Sequence, residues 1–205
     1  MMQRRKIKSL CVQETRCKGN KAKILAEGYK LLYSSESPES RNGVGVNLHR
    51  KLQEEVCEVN KVNDTVMYVK MMFGREMVTV LTAYASEAGC SEDEKEKFWR
   101  DLDGVMVGVP ENERVIVGGD LNGHVGGRKG GEERWHGGGG YGERNEEGKK
   151  IVEFAVAFDL VIMNTYFQRK REKLITYRSD ENISQIDYIL CRRKYGGEVR
   201  NTNVI

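Results

Sequence analysis

The chain has 205 residues, 39% hydrophobic and 32% charged, and its 34 basic and 31 acidic side chains leave a formal net charge of only +3. That profile fits one soluble globular domain, contains no apolar run near the ~20 residues of a membrane span, and makes any nucleic-acid-binding surface a local feature. Five scattered cysteines (Cys11, Cys17, Cys57, Cys90, Cys191), with no C-x-x-C pair, argue against a zinc site or disulfide framework and for an intracellular setting, nuclear or cytoplasmic.

Residues 7–13 (IKSLCVQ) predict a short buried strand ending at Glu14, and a strand so near the start suggests that the chain begins inside its domain. Residues 20–27 read as helix. Residues 29–35 and 43–49 read as strands, with Asn42-Gly43 as the turn signal between them. Two further strands, 56–62 and 65–73, are split by a turn at Asn63-Asp64, and MVTVLTAYA (77–85) is a β-branched, apolar strand. Ser91 to Glu94 form a capping box, and Phe98, Leu102 and Val105 follow at helical spacing. RVIVGGD (114–120) is a short apolar strand that stops at a carboxylate. Between Gly118 and Gly148 glycine is dense. No core is expected there, and 126–142 reads as a flexible loop. Asn145 caps the next helix, with Ile151, Phe154, Ala155 and Phe158 on its apolar face. LVIMN (160–164), a segment around Ile175–Tyr177, and QIDYIL (185–190) complete the strands. Hairpins followed by helix, strand, helix and more strands fit an α/β (α+β) fold, a two-sheet mixed β-sandwich flanked by helices, and not a regular βαβ winding. No repeat or linker divides residues 1–205.

Polar residues stand at the ends of these apolar strands: Glu14, Asp120 with Asn122, Asn164 and Asp187. A strand leaving a core holds its terminal side chain rigidly, so several such groups can converge at a sheet edge. Oxygen-only ligands select a hard cation, Mg²⁺ or Mn²⁺. The plainer reading of each residue alone is a turn former. Tyr84 at a strand end also suits simple packing.

The ordered set V-Q-E-T-R (12–16), T-A-Y-A (82–85), G-G-D-L-N (118–122), R-N-E-E-G-K-K-I-V-E-F-A (144–155), L-V-I-M-N-T (160–165), T-Y-R-S (176–179) and S-Q-I-D-Y-I-L (184–190) resembles the endonuclease/exonuclease/phosphatase superfamily. Within it the set is most similar to the endonuclease domains of RTE-clade non-LTR retrotransposons and to the craniofacial development protein 2-like group. The resemblance implies a four-layer α/β/β/α sandwich and Mg²⁺- or Mn²⁺-dependent hydrolysis of DNA phosphodiester bonds. It implies DNA as partner, with no membrane and no small-molecule cofactor, and a monomer. It gives Glu14 a metal-binding role, shared with Asp120 and Asn122. Tyr84 would contact the scissile phosphate. Asp120 would activate water or protonate the leaving group, Asn122 would orient the nucleophile or phosphate, and Asn164 would support the phosphate pocket. Asp187 would orient a catalytic histidine.

The family pattern also has an asparagine-bearing first strand and a closing Asp-His or Gln-His motif, neither of which is found in residues 1–205, so the domain is expected to be incomplete at both termini and impaired. His49, His124 and His136 are not expected to replace the family's histidine, because a catalytic imidazole needs a fixed orienting partner. The basic run at 168–173, with Arg169, Lys170 and Arg171, followed by Tyr177 and Arg178, reads either as a solvated turn or, under the resemblance, as a DNA-backbone contact. The glycine-rich stretch lacks the G-K-[ST] ending of a phosphate loop. Two other functions stay open: a catalytically degenerate remnant that binds DNA or a protein, and a phosphatase acting on a phospholipid or mononucleotide. The R-N-E-E-G and S-Q-I-D-Y segments argue against the last.

Overall fold

A computed structural model of the chain describes residues 2–35, 42–85, 89–128, 130–179 and 182–203. The chain divides into two compact units, Met1–Ala85 with Ser91–Arg114, and Ser86–Cys90 with Val115–Ile205. Strands and helices assort into a mixed α/β fold with two main β-sheets, as the sequence pattern predicts.

The first unit opens with β1 (Ser9–Val12), β2 (Lys21–Ile24), β3 (Tyr29–Ser34) and β4 (Val44–His49), all antiparallel in the order β1-β4-β3-β2. The short helix α1 (Arg50–Gln53) leads to β5 (Val56–Lys61), β6 (Val66–Phe73) and β7 (Glu76–Tyr84), an antiparallel run in chain order. Alternation along these strands builds the core. Leu32, Val44, Val46 and Leu48 of the first sheet pack against Met67, Val69, Met71, Val80 and Tyr84, so two sheets face each other across one apolar layer. The other side of β6 carries α2 (Glu92–Val107). Both halves of its capping box form: Glu94 N donates to Ser91 Oγ at 3.3 Å, and Ser91 N donates to the Glu94 carboxylate at 2.9 Å. Phe98, Leu102 and Met106 make the buried stripe; Val105, assigned to it from the sequence, is only half-buried. The Asn63-Asp64 turn is fixed by the Asn63 amide oxygen, which accepts from Thr65 N at 2.9 Å and Val66 N at 2.8 Å.

Residues 20–27 correct the sequence expectation. They are not a helix: Lys21–Ile24 pair with β3, and only a single 3-10 turn follows at Ala26–Gly28. K-A-K-I-L-A-E is rich in helix formers, and strand pairing overrides that weak propensity.

The second unit takes β8 (Arg114–Asp120, from Val115 onward), α3 (Glu146–Ala157), β9 (Leu160–Ile162), β10 (Tyr177–Ser179), β11 (Asn182–Ser184) and β12 (Asp187–Arg192). β12 lies between β8 and β9, antiparallel to both, and α3 packs on β9. β10 and β11 form a separate hairpin. The glycine-rich stretch also departs from expectation, because it does join a core. His136 is fully buried and bridges Ile162, and Gly137 N and Gly139 N donate to Thr165 Oγ1 and Thr165 O, both at 2.8 Å. Glycine is needed for these approaches: a Cβ on Gly140 would collide with Gly126 O. No helix among the described residues is long and apolar enough to cross a membrane.

Candidate active site

In the second unit the apolar strand β8 delivers Asp120 at its end, and the register sets Asp187 directly across from it on β12. Like charges opposite each other on an antiparallel pair are unfavourable. Burial pushes the Asp187 carboxyl above the usual carboxylate range, partly offset by a hydrogen bond from Thr176. The same hydroxyl accepts from Ile186 N at 3.0 Å and Asp187 N at 3.1 Å, which fixes the start of β12.

Beyond Asp120 the chain turns tightly. Asn122 N donates to Asp120 Oδ1 at 3.0 Å, Leu121 N donates to Ile186 O at 2.9 Å, and Asn122 sits in the left-handed region at φ 45°. Two residues hold this turn from behind. The Asn145 amide oxygen accepts from Gly148 N, capping α3, and from His124 N, each at 2.8 Å. Gly148 is required there, since a Cβ would strike His124 O. The buried Tyr188 hydroxyl meets Gly123 O at 2.9 Å and Gln185 O at 2.6 Å, and accepts from Val125 N at 3.3 Å; burial pushes its phenol far up. Asn164 clamps β12: its amide oxygen accepts from Ile189 N at 2.7 Å and its nitrogen donates to Asp187 O at 3.4 Å.

In the first unit Glu14 follows β1 with φ 48°, and Tyr84 ends β7. Tyr84 Oη donates to Glu14 Oε1 at 3.2 Å, and Arg16 lies 3.4 Å from Glu14 Oε2. Gln13 donates to Thr82 Oγ1 at 3.0 Å and ties the two segments together. Among the described residues, no group of three or more His, Cys, Asp or Glu side chains is placed to hold a metal ion.

No family model matches the chain. It is 28% identical over 204 residues to craniofacial development protein 2 of Bos taurus, covering 98% of this chain and 34% of that protein. The corresponding Tragulus javanicus protein is 27% identical over 180 residues, covering 86% and 31%. The chain therefore spans about a third of the length of the curated relatives it matches. Among solved structures it is similar to an AP endonuclease from Archaeoglobus fulgidus, with TM-score 0.65, 16% identity, and coverage of 96% of this chain and 80% of that one. The endonuclease domain of TRAS1, a telomere-specific non-LTR retrotransposon, gives TM-score 0.63 and 14% identity over 94% and 76%. The chain has the endonuclease/exonuclease/phosphatase fold.

Within the endonuclease/exonuclease/phosphatase fold, Asp120, Asn122, Asn164 and Asp187 all gather at one end of the β8–β12 pair, while Glu14 and Tyr84 meet in the other unit. The basic run is more engaged internally than its composition suggests. Arg169 Nε donates to Thr202 O at 3.2 Å and Nη1 to Gln168 O at 3.1 Å, while Nη2 donates to Asn201. Arg171 stacks over Tyr141 at 5.1 Å and donates to its hydroxyl at 3.0 Å. Lys170, Tyr177 and Arg178 are exposed. His49 caps α1 and packs edge-on against Tyr29. His124 is held through its backbone beside the Asp120 turn, and burial holds the His136 imidazole below its ordinary value. Thr176, Tyr188 and Asn145 support the site but carry no sequence signal of that role beyond the cap at Asn145.

Proposed function

We propose that the chain is a DNA endonuclease domain that hydrolyses phosphodiester bonds with Mg²⁺ or Mn²⁺. The observation that carries this reading is the cross-strand pairing of Asp120 with Asp187, two carboxylates set opposite each other at the ends of paired strands. Two acids across a strand pair sit together when one keeps its proton, and their oxygens also suit a hard cation. Oxygen donors of the kind a hard cation takes are carried by Glu14 in the first unit and by Asp120 and Asn122 in the second. Once bound, such a cation would polarise the phosphoryl oxygen and stabilise the leaving alkoxide.

The remaining work falls to the chain's own groups. Asp120 takes a proton from water or gives one to the leaving oxygen, and Asn122, held by its left-handed turn, orients the reacting groups. Burial favours the protonated state of Asp187. Asn164 acts through β12, whose backbone occupies its amide, and so positions Asp187. Tyr84 fixes Glu14 and reaches toward the phosphate. Lys170, Tyr177 and Arg178 supply exposed DNA contacts, and Arg169 and Arg171 join them by releasing their internal partners.

Supercoiled-plasmid nicking tests the proposal. Wild-type protein is expected to convert plasmid to open circles, at the impaired rate the sequence leads one to expect, with Mg²⁺ or Mn²⁺ but not with EDTA, and Asp120→Asn is expected to lower that rate by roughly 10²- to 10⁴-fold. A folded wild-type chain that nicks with neither cation would sink the reading.

A further inference from the structure

Residues 1–30 carry nine lysines and arginines against two glutamates, net +7, whereas the other 175 residues are net −4. The fold gathers much of this charge on one side of the first unit. In the register of the first sheet, Lys23, Leu31 and Asn47 form one cross-strand row, and Lys21, opposite Tyr33, shares their face. Leu32, Val44, Val46 and Leu48 occupy the opposite face and make the core, so this row lies on the other face, where Asn47 and Tyr33 are covered and Lys21 and Lys23 are exposed. The segment ahead of β1 lies over the same outer face. Met2 Sδ is 3.0 Å from Asn47 Nδ2, and Tyr29 Oη donates to Ile7 O at 2.8 Å. Arg4, Arg5 and Lys6 belong to that segment, and Lys18 to the loop entering β2. Together with Lys21 and Lys23 all are exposed, and none forms a salt bridge with a described residue. Lysines on an edge strand discourage edge-to-edge pairing. That accounts for Lys21 and Lys23 on β2 but not for the other four, nor for the shortage of acidic partners.

We infer that this outer face is a track for the phosphodiester backbone of a nucleic acid, bound through charge and not through sequence. Side chains two apart on a strand stand about 6.6 Å from each other. Flexible ammonium groups at that interval can follow a duplex that carries a charge every ~1.7 Å of axis. The loop bearing Lys18 starts at Glu14, so the track leads away from a residue of the proposed nuclease site. The choice of nucleic acid over other polyanions rests on that nuclease reading; the binding measurement does not.

The test is the salt dependence of binding of a fluorescent DNA duplex to the full chain in EDTA. The Lys18→Gln/Lys21→Gln/Lys23→Gln variant is expected to weaken binding on the order of tenfold and to flatten the log–log salt slope by about 2 to 3. Arg4→Gln/Arg5→Gln/Lys6→Gln, which leaves the sheet untouched, should show the same trend, and Arg100→Gln on α2 should show none. Unchanged affinity and slope in both triple variants would overturn the track. So would equal losses on polyglutamate, or tighter binding of phosphatidylserine vesicles than of duplex. Nicking by the same proteins in Mg²⁺ separates the two readings. Wild-type nicking with an unchanged slope defeats the track alone, and a flattened slope without wild-type nicking defeats the nuclease reading alone.

Discussion

Carboxylates flank the two ends of β8 under different electrostatics. Glu113, just before the strand, is buried with Lys70 Nζ 3.6 Å away and accepts a hydrogen bond from the Thr79 hydroxyl. Asp120, at the far end, stands across the strand pair from Asp187, whose carboxyl is raised by burial. At the first end the protein supplies its own counter-charge, and the carboxylate serves architecture. At the second, two acids stand across from each other on paired strands, and burial favours a proton on Asp187.

Substitutions can break or sharpen that contrast. The largest expected effect is on turnover: Asp120→Asn should lower the nicking rate by roughly 10²- to 10⁴-fold, the range of positioned acid–base groups, with little change in urea midpoint. A comparable loss of stability would mean that both ends of β8 are architectural. Next, Lys70→Met strands a buried Glu113 and should cost about 3 kcal/mol in urea unfolding, with nicking by the folded fraction retained. A neutral result would show that Glu113 does not need its cation. Asn145→Ala removes one acceptor shared by the α3 cap and His124 N and should cost roughly 1–2 kcal/mol; stability within error of wild type would show that the Asp120 turn does not depend on it. The smallest effect concerns pH. The raised value of Asp187 means that the folded state holds its proton where the unfolded chain has released it. Stability in EDTA therefore falls as pH rises from the ordinary carboxylate value of about 3.9 to the raised one. Asp187→Asn should flatten the melting temperature across that window and raise it at neutral pH. A steeper profile in the variant would contradict the assigned sign.

Strand and helix signals carried most of the fold. β6, β7 and β8 alternate or run apolar between turn residues, and Ser91 and Asn145 cap helices where their side chains predict. Lys21–Ile24 have a composition that favours helix, but pairing with β3 decides. His136 went unseen as core because backbone–backbone contacts between glycines leave no hydrophobic period to read. At the candidate site, ordered motifs single out Asp120, Asn122 and Asp187, which lie at one end of the β8–β12 pair. They could not reveal that the Asn164 amide is occupied by β12, that Arg169 and Arg171 have internal partners, or that Thr176 and Tyr188 brace the turn. Those are three-dimensional pairings between residues far apart in the chain.

His124 and Asn145 exchange two contacts, His124 N to the Asn145 side chain at 2.8 Å and Asn145 N to His124 O at 3.1 Å. The residues between them thus hang from a closed clasp. Inside it, the buried His136 and the close approach of Gly140 to Gly126 fix the segment a second time. A substitution that opens the clasp would therefore loosen the Asp120 turn and the first turn of α3 together.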